Sequence, residues 1–384
     1  MSVAIYASPL RSIGKPTGVG QHIARMAEHL ADRPDITASL LATRADYEQV
    51  RPYLSARLAA LPIHFLPGAE RLLRTALIAT NFFGIERWSG EVDWVYCPKE
   101  QPVATRRARL AVTVHDVLPF ERNVPGLERK FHPVLSLRWR LLMRRILQRA
   151  DLIAIVSEFT RRRMLELFDV RDEKRLVVIG NGVGSCYFSS RQREDSEILA
   201  RHGLTADRYL ITVGSLTFRK GGDVLLKLAL RLREQHLPWR VVVTGQRHDA
   251  ELLERSRAMK AEYPDLPLDL TGYVPDGEQA VLLRNALALV FPSRYEGFGI
   301  PVLEAMAAGT PVVCRPAAAL PEVAGDAAAF VDSDEPEAWL LPVLSLAENS
   351  ASRPKLVEAG RRRAAEFTWD RCAARLVAAM SEKS

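Results

Sequence analysis

Phe291-Pro-Ser-Arg-Tyr-Glu-Gly-Phe-Gly-Ile-Pro-Val-Leu-Glu-Ala-Met-Ala-Ala-Gly-Thr-Pro-Val-Val-Cys314 spells strand, glycine loop, helix, turn and strand in unbroken succession. Leu287 to Phe291 is an apolar run of the length of a buried strand. Pro301 suits the first position of a helix, where its missing N–H would have no partner anyway. Gly309 and Pro311 supply the stop signals for that helix.

Between strand and helix stands Glu296-Gly297-Phe298-Gly299. Two residues without a Cβ let the backbone approach a ligand closely, and the free amides of the first helical turn add partial positive charge at the same place. Such a loop suits a phosphate. Glu296 and Glu304, which flank it, are poor phosphate ligands but good acceptors for sugar hydroxyls. Together they suggest a ligand with phosphate in the middle and a hydroxyl-bearing ring at each end, a nucleotide diphosphate sugar. On these residues alone an ordinary strand-to-helix turn with two solvated glutamates stays open.

The spacing Glu296, seven residues, Glu304, with Gly297, Phe298, Gly299, Pro301 and Leu303 between, resembles the E-x7-E motif of the retaining glycosyltransferases of family 4. That resemblance implies an α/β chain of GT-B fold, two Rossmann-like doubly wound domains facing a cleft. Other segments are similar to the same family: Val114-His115-Asp116 at a strand end, Ser157-Glu158-Phe159-Thr160, Asn181-Gly182-Val183, Arg219-Lys220-Gly221, Gly272-Tyr273-Val274-Pro275 and Leu320-Pro321-Glu322-Val323. The sequence departs from the family at Gly184, where aspartate is common, at Ser215, where many members have arginine, and at Ala318 and Ala319, where serines are frequent.

The chain begins with a strand at Val3 to Ala7, a polar loop through Gly14 to Thr17, and Gly18-Val19-Gly20 opening a helix whose Ile23, Met26, Ala27 and Leu30 share one face. Ile23 stands where a dinucleotide fingerprint needs its third glycine, which weakens an oxidoreductase reading. Further strands are expected at 37–42, 63–67, 94–97, 110–115, 152–156 and 176–182, and, after a restart, at 209–213, 240–245 and 268–272. The polar run Ser189 to Glu197 has a linker's composition. The expected domains are therefore 1–190, acceptor-binding, and 191–365, nucleotide-sugar-binding, with 366–384 a helix crossing back to the first.

A chain of 384 residues with 48% hydrophobic composition suits two cores. It has no apolar run of the roughly 20 residues a membrane span needs, and the start has no charged leader. Four scattered cysteines suit a reducing compartment. The expected location is cytoplasmic, or peripheral at the inner face of the cytoplasmic membrane. The net charge of +7 is uneven: residues 1–190 hold 28 Lys+Arg against 19 Asp+Glu, and residues 101–150 hold 11 against 3. This points to an anionic surface or acceptor, and no nucleic-acid module is recognisable. Within it, residues 128–150 read as a helix with the stripe Leu135, Trp139, Leu142, Met143 and Ile146, edged by Arg138, Arg145 and Arg149 on one side and Arg140 and Arg144 on the other. An in-plane membrane helix and a core helix both fit.

The family resemblance implies these roles. His115 and Glu296 act at the transferred sugar, and Gly18, Val19, Gly20, Arg219, Lys220, Val274, Gly297, Phe298, Gly299 and Glu304 bind the donor. Adjacent Arg219 and Lys220 at a helix start are also what an anion between them requires. No cofactor and no metal is expected, because Asp332-Ser333-Asp334 precedes a helix and reads as a cap rather than a metal motif. The expected reaction is retaining transfer from a nucleotide sugar, first choice GDP-mannose, to a glycan acceptor linked to polyprenyl diphosphate, in surface polysaccharide assembly. A sugar-nucleotide epimerase and a non-catalytic carbohydrate- or membrane-binding protein are the alternatives.

Overall fold

The structure, a computed structural model, describes residues 1–7, 18–67, 84–101, 103–121, 124, 133–348 and 352–383, of which 133–136 by backbone alone. The polar loop expected at 14–17 falls outside these. The chain divides into two compact units, one of residues 1–120, 131–182 and 369–384, the other of 121–130 and 183–368.

The first unit holds a sheet of seven strands: β1 (Ser2–Tyr6), β2 (Thr37–Thr43), β3 (Ile63–Leu66), β4 (Trp94–Cys97), β5 (Arg109–Val114), β6 (Leu152–Ile155) and β7 (Leu176–Val178), in the order β3-β2-β1-β4-β5-β6-β7. All pairs are parallel, as in Val3 opposite both Ala38 and Trp94. Strands covered on both faces need apolar side chains throughout, and Ile5, Val95, Val112 and Ile153 are all completely buried. The helix Gly18–Asp32 packs Ile23, Met26, Ala27 and Leu30 inward, and the C-terminal helix Trp369–Ser381 lies against it.

The helix Pro133–Arg149 turns Met143 and Ile146 into this core, with Trp139, Leu142 and Leu147 packed around them. Of the stripe expected from sequence, Trp139, Leu142, Met143 and Ile146 therefore serve the core; the side chain of Leu135 lies outside the description.

The second unit holds β8 (Tyr209–Val213), β9 (Arg240–Thr244), β10 (Leu268–Leu270), β11 (Ala288–Phe291), β12 (Val312–Cys314) and β13 (Ala329–Phe330), in the order β10-β9-β8-β11-β12-β13, again parallel. In each sheet the strand order reverses once, between β1 and β4 and between β8 and β11. Such reversals leave an opening at the carboxyl ends of the strands where ligands of these sheets bind.

The run 189–197 is not a free linker. Asp195 starts the helix Asp195–Arg201, is 3% exposed, and accepts from Arg284 Nε at 2.8 Å and Asn285 Nδ2 at 2.8 Å. Arg191 forks onto both oxygens of Asp207 at 2.7 Å. Polar composition here serves ion pairing, and the division between units falls at 182/183 instead of 190/191. Among the described residues, no helix is long and apolar enough to cross a membrane.

Candidate active site

In the second unit the loops after β8 and β11 meet at the sheet's reversal. The loop after β8 carries Arg219 and Lys220, and that after β11 carries Ser293 to Gly299. Lys220 Nζ and Arg219 Nη1 each lie 3.1 Å from Glu296 Oε1, which also accepts from Ser293 Oγ at 2.7 Å. Arg219 Nη1 further donates to the Tyr295 carbonyl at 2.6 Å, and Lys220 Nζ sits 4.9 Å above the Phe291 ring. Burial alone would raise the Glu296 carboxyl, but Lys220 and Arg219 more than offset it and hold its pKa at about 2. Burial lowers the Lys220 pKa, and Glu296 opposes that fall.

Two glycines on these loops sit where a side chain would not fit. Gly214 has φ +130°, and a Cβ there would lie 2.8 Å from Lys220 Cδ. Gly299 has φ +108° and would bring a Cβ to 2.6 Å from Leu320 Cδ2. It caps the helix Ile300–Ala308, which starts one residue before Pro301 and ends on left-handed Gly309. Glu304 therefore sits past the first turn, 2% exposed, and Gln279 Nε2 donates to its Oε2 at 3.2 Å and to the Tyr187 hydroxyl at 3.0 Å. The ring of Phe298 is buried edge-on against Phe367 at 5.8 Å and the Val274 side chain is buried, so backbone is what these two offer a ligand.

Sequence reading gave no role to Arg294. Its Nη1 donates to the Phe218 carbonyl at 2.7 Å, and both its Nη atoms fork onto Asp223 at 2.7 and 2.8 Å. Its backbone N–H donates to the Arg219 carbonyl at 2.8 Å. Arg294 thereby ties the loop bearing the two cations to the loop bearing Glu296. Its position inside the quoted run, one residue from Ser293, was the available signal.

Asp332 and Asp334 are held by arginines: Arg315 reaches them at 3.3 and 2.5 Å, and Arg294 reaches Asp334 at 2.9 Å. Ser333 Oγ accepts the Glu335 N–H at 3.0 Å, as a cap does.

In the first unit, Gly18, Val19 and Gly20 form the first turn of their helix rather than a loop before it, so what they present is the amide-rich end of a helix. His115 follows β5, and its backbone N–H donates to Glu100. Its Nε2 lies 3.0 Å from the Pro98 carbonyl, which can only accept, so Nε2 carries the hydrogen and Nδ1 the lone pair. Burial pulls its pKa down to about 4 and keeps the ring neutral. His22, which sequence reading passed over, meets it edge-on with centroids 4.6 Å apart. His22 Nδ1 is 2.6 Å from Asn181 Oδ1, and burial also holds its pKa well below the usual value. A pocket of about 740 Å³ lies at the carboxyl ends of β2 and β3, lined by Arg44, Glu48, Phe65 and Trp88.

Residues 16–184 match the model of Glycosyltransferase Family 4 and residues 194–363 that of Glycosyl transferases group 1. The chain is 30% identical over 288 residues to the O-antigen chain mannosyltransferase B of Escherichia coli, covering 73% of this chain and 72% of that one. It is 29% identical to the MMP α-(1→4)-mannosyltransferase of Mycolicibacterium hassiacum, over 70% of this chain and 64% of the relative. Among solved structures, Anabaena HepE in complex with UDP and glucose superposes with a TM-score of 0.75 at 15% identity, over 100% of both chains. The sucrose-phosphate synthase of Thermosynechococcus elongatus gives 0.73 at 16%, over 100% of this chain and 99% of its own. With two parallel Rossmann-like sheets and this relative, the chain is a glycosyltransferase of GT-B type and belongs to glycosyltransferase family 4.

Proposed function

We propose that the protein transfers mannose from GDP-mannose to a glycan acceptor linked to polyprenyl diphosphate, with retention at the anomeric carbon and without a metal, in bacterial surface polysaccharide synthesis at the inner face of the cytoplasmic membrane. The observation that carries the donor assignment is the convergence of Lys220 and Arg219 on Glu296 Oε1 at the reversal of the second sheet. Two fixed cations held by one carboxylate form a pair that an incoming diphosphate, with more negative charge, can displace. The mannosyl choice is supported by the Escherichia coli and Mycolicibacterium relatives, which are mannosyltransferases.

In the reaction the sugar–phosphate bond breaks, negative charge grows on the diphosphate and positive character on the sugar ring. Arg219, Lys220 and the amides of Gly297, Phe298 and Gly299 stabilise the former, and Glu296 stabilises the latter while holding sugar hydroxyls. Glu304 accepts from the ribose and the Val274 backbone meets the base. In the first unit, the amides of Gly18, Val19 and Gly20 serve the diphosphate and His115, through its Nδ1 lone pair, a sugar hydroxyl. The acceptor hydroxyl joins the anomeric carbon and its proton passes to the departing phosphate. The Phe65 and Trp88 rings suit the apolar face of an acceptor sugar.

A thermal-shift panel of sugar nucleotides tests the donor, since a ligand that binds only the native state raises the melting temperature. GDP-mannose should give the largest rise; a larger one with UDP-glucose would replace the donor, and none with any nucleotide would overturn the reading. The anomeric configuration of the product, read by NMR, tests retention.

A further inference from the structure

The helix Pro133–Arg149 has two apolar faces, and only one is used by the core. Met143 and Ile146 are 1% and 2% exposed, whereas Leu137 and Leu141, one turn apart on the opposite side, are 57% and 46% exposed. At 100° per residue, Arg138 and Arg145 border this outer leucine pair on one flank, and Arg140 and Arg144 on the other. The helix contains no acidic residue. None of these four arginines has an ion pair among the described residues, although Arg161 and Arg163 on the next helix are each paired with a nearby glutamate.

Exposed leucines cost free energy in water, and four cations crowded around them repel one another. Both costs vanish against a surface that is apolar inside and anionic at its rim. We propose that this outer face docks in the plane of an anionic lipid bilayer, with Leu137 and Leu141 entering the headgroup–acyl boundary and Arg138, Arg140, Arg144 and Arg145 meeting phosphate headgroups. The docking face is thus the reverse of the stripe that sequence periodicity singles out, since that stripe is already spent on the core. The proposal deepens the lipid-linked acceptor reading and shares its membrane setting, but it uses none of the donor-site residues.

Flotation of the full chain with phosphatidylcholine vesicles, with and without phosphatidylglycerol, tests it. The wild type should float with the anionic vesicles alone, and less so as salt is raised. The quadruple variant Arg138→Gln, Arg140→Gln, Arg144→Gln, Arg145→Gln should bind roughly a thousandfold more weakly at low salt. Leu137→Ser with Leu141→Ser should also weaken binding. Both variants should keep the wild-type melting temperature and its rise with GDP, which separates loss of docking from loss of fold or of donor binding. Equal flotation with pure phosphatidylcholine, undiminished flotation of the quadruple variant, or retention on heparin without flotation would each overturn it, the last in favour of a soluble polyanion.

Discussion

Lys220 and Glu296 face each other as a part-buried ion pair, Nζ to Oε1 3.1 Å, with side chains 15% and 12% exposed. Arg219 shares the same carboxylate oxygen at the same distance. The carboxylate therefore competes with any diphosphate for the two cations, and the two roles can be separated by mutation. Glu296→Gln should bind GDP at least as tightly as wild type in calorimetry while turnover falls by roughly a hundredfold or more. Lys220→Ala should weaken GDP binding by about 1.5–3 kcal/mol. A Glu296→Gln protein that lost GDP affinity as Lys220→Ala does would show the carboxylate to be scaffolding for the cations only.

Arg294 is 6% exposed in its side chain and bridges Asp223, Asp334 and the Phe218 carbonyl. Removing the guanidinium leaves Asp223, 18% exposed in its side chain, without its charge-assisted hydrogen bonds, which typically costs about 1–3 kcal/mol. Arg294→Met should accordingly lower stability by that order in urea unfolding. GDP affinity should fall as well, because the loop with Arg219 and Lys220 loses its anchor. Unchanged stability would mean that water replaces the guanidinium at no cost.

The parts of this architecture set by local chemistry were readable from the chain, and those set by burial were not. Alternating apolar runs and glycine loops placed β1 to β11 within a few residues, because a parallel strand closed on both faces must be apolar along its length. Polar residues were misjudged in both directions. Asp195 reads as linker and is buried against Arg284, since composition does not show which charges find partners. Arg294 and His22 stand beside assigned residues, yet their partners lie 71 and 159 positions away. The helix at 133–149 shows the same limit: periodicity finds an apolar stripe, but only packing decides which face the core takes.

Arg315 pairs with Asp332 and Asp334, and Arg294 with Asp334, so a divalent ion bound between the two carboxylates would have to displace both arginines. Turnover should persist in EDTA, and Asp334→Asn should lower the melting temperature without creating a need for metal. Activity abolished by EDTA and restored by manganese would refute metal-independent transfer.

The buried histidines make stability depend on pH in a defined direction. His115 has a folded pKa of about 4 against an ordinary 6.5, so above pH 6.5 it is neutral in both states and contributes no slope. Between 6.5 and 4 the unfolded chain binds a proton that the folded one refuses, and stability falls as pH falls, by about 3 kcal/mol for this residue. His22 acts in the same sense, because burial and the neighbouring His115 disfavour its charge. Urea unfolding of wild type and His115→Gln at a series of pH values reads the two histidines together, since removing His115 also relieves its repulsion of a charged His22. The difference in unfolding free energy should shrink toward acid over that window. If the two profiles stayed parallel, His115 would titrate in the folded state as it does unfolded, and the neutral Nδ1 acceptor proposed for the sugar hydroxyl would be lost below about pH 6.5.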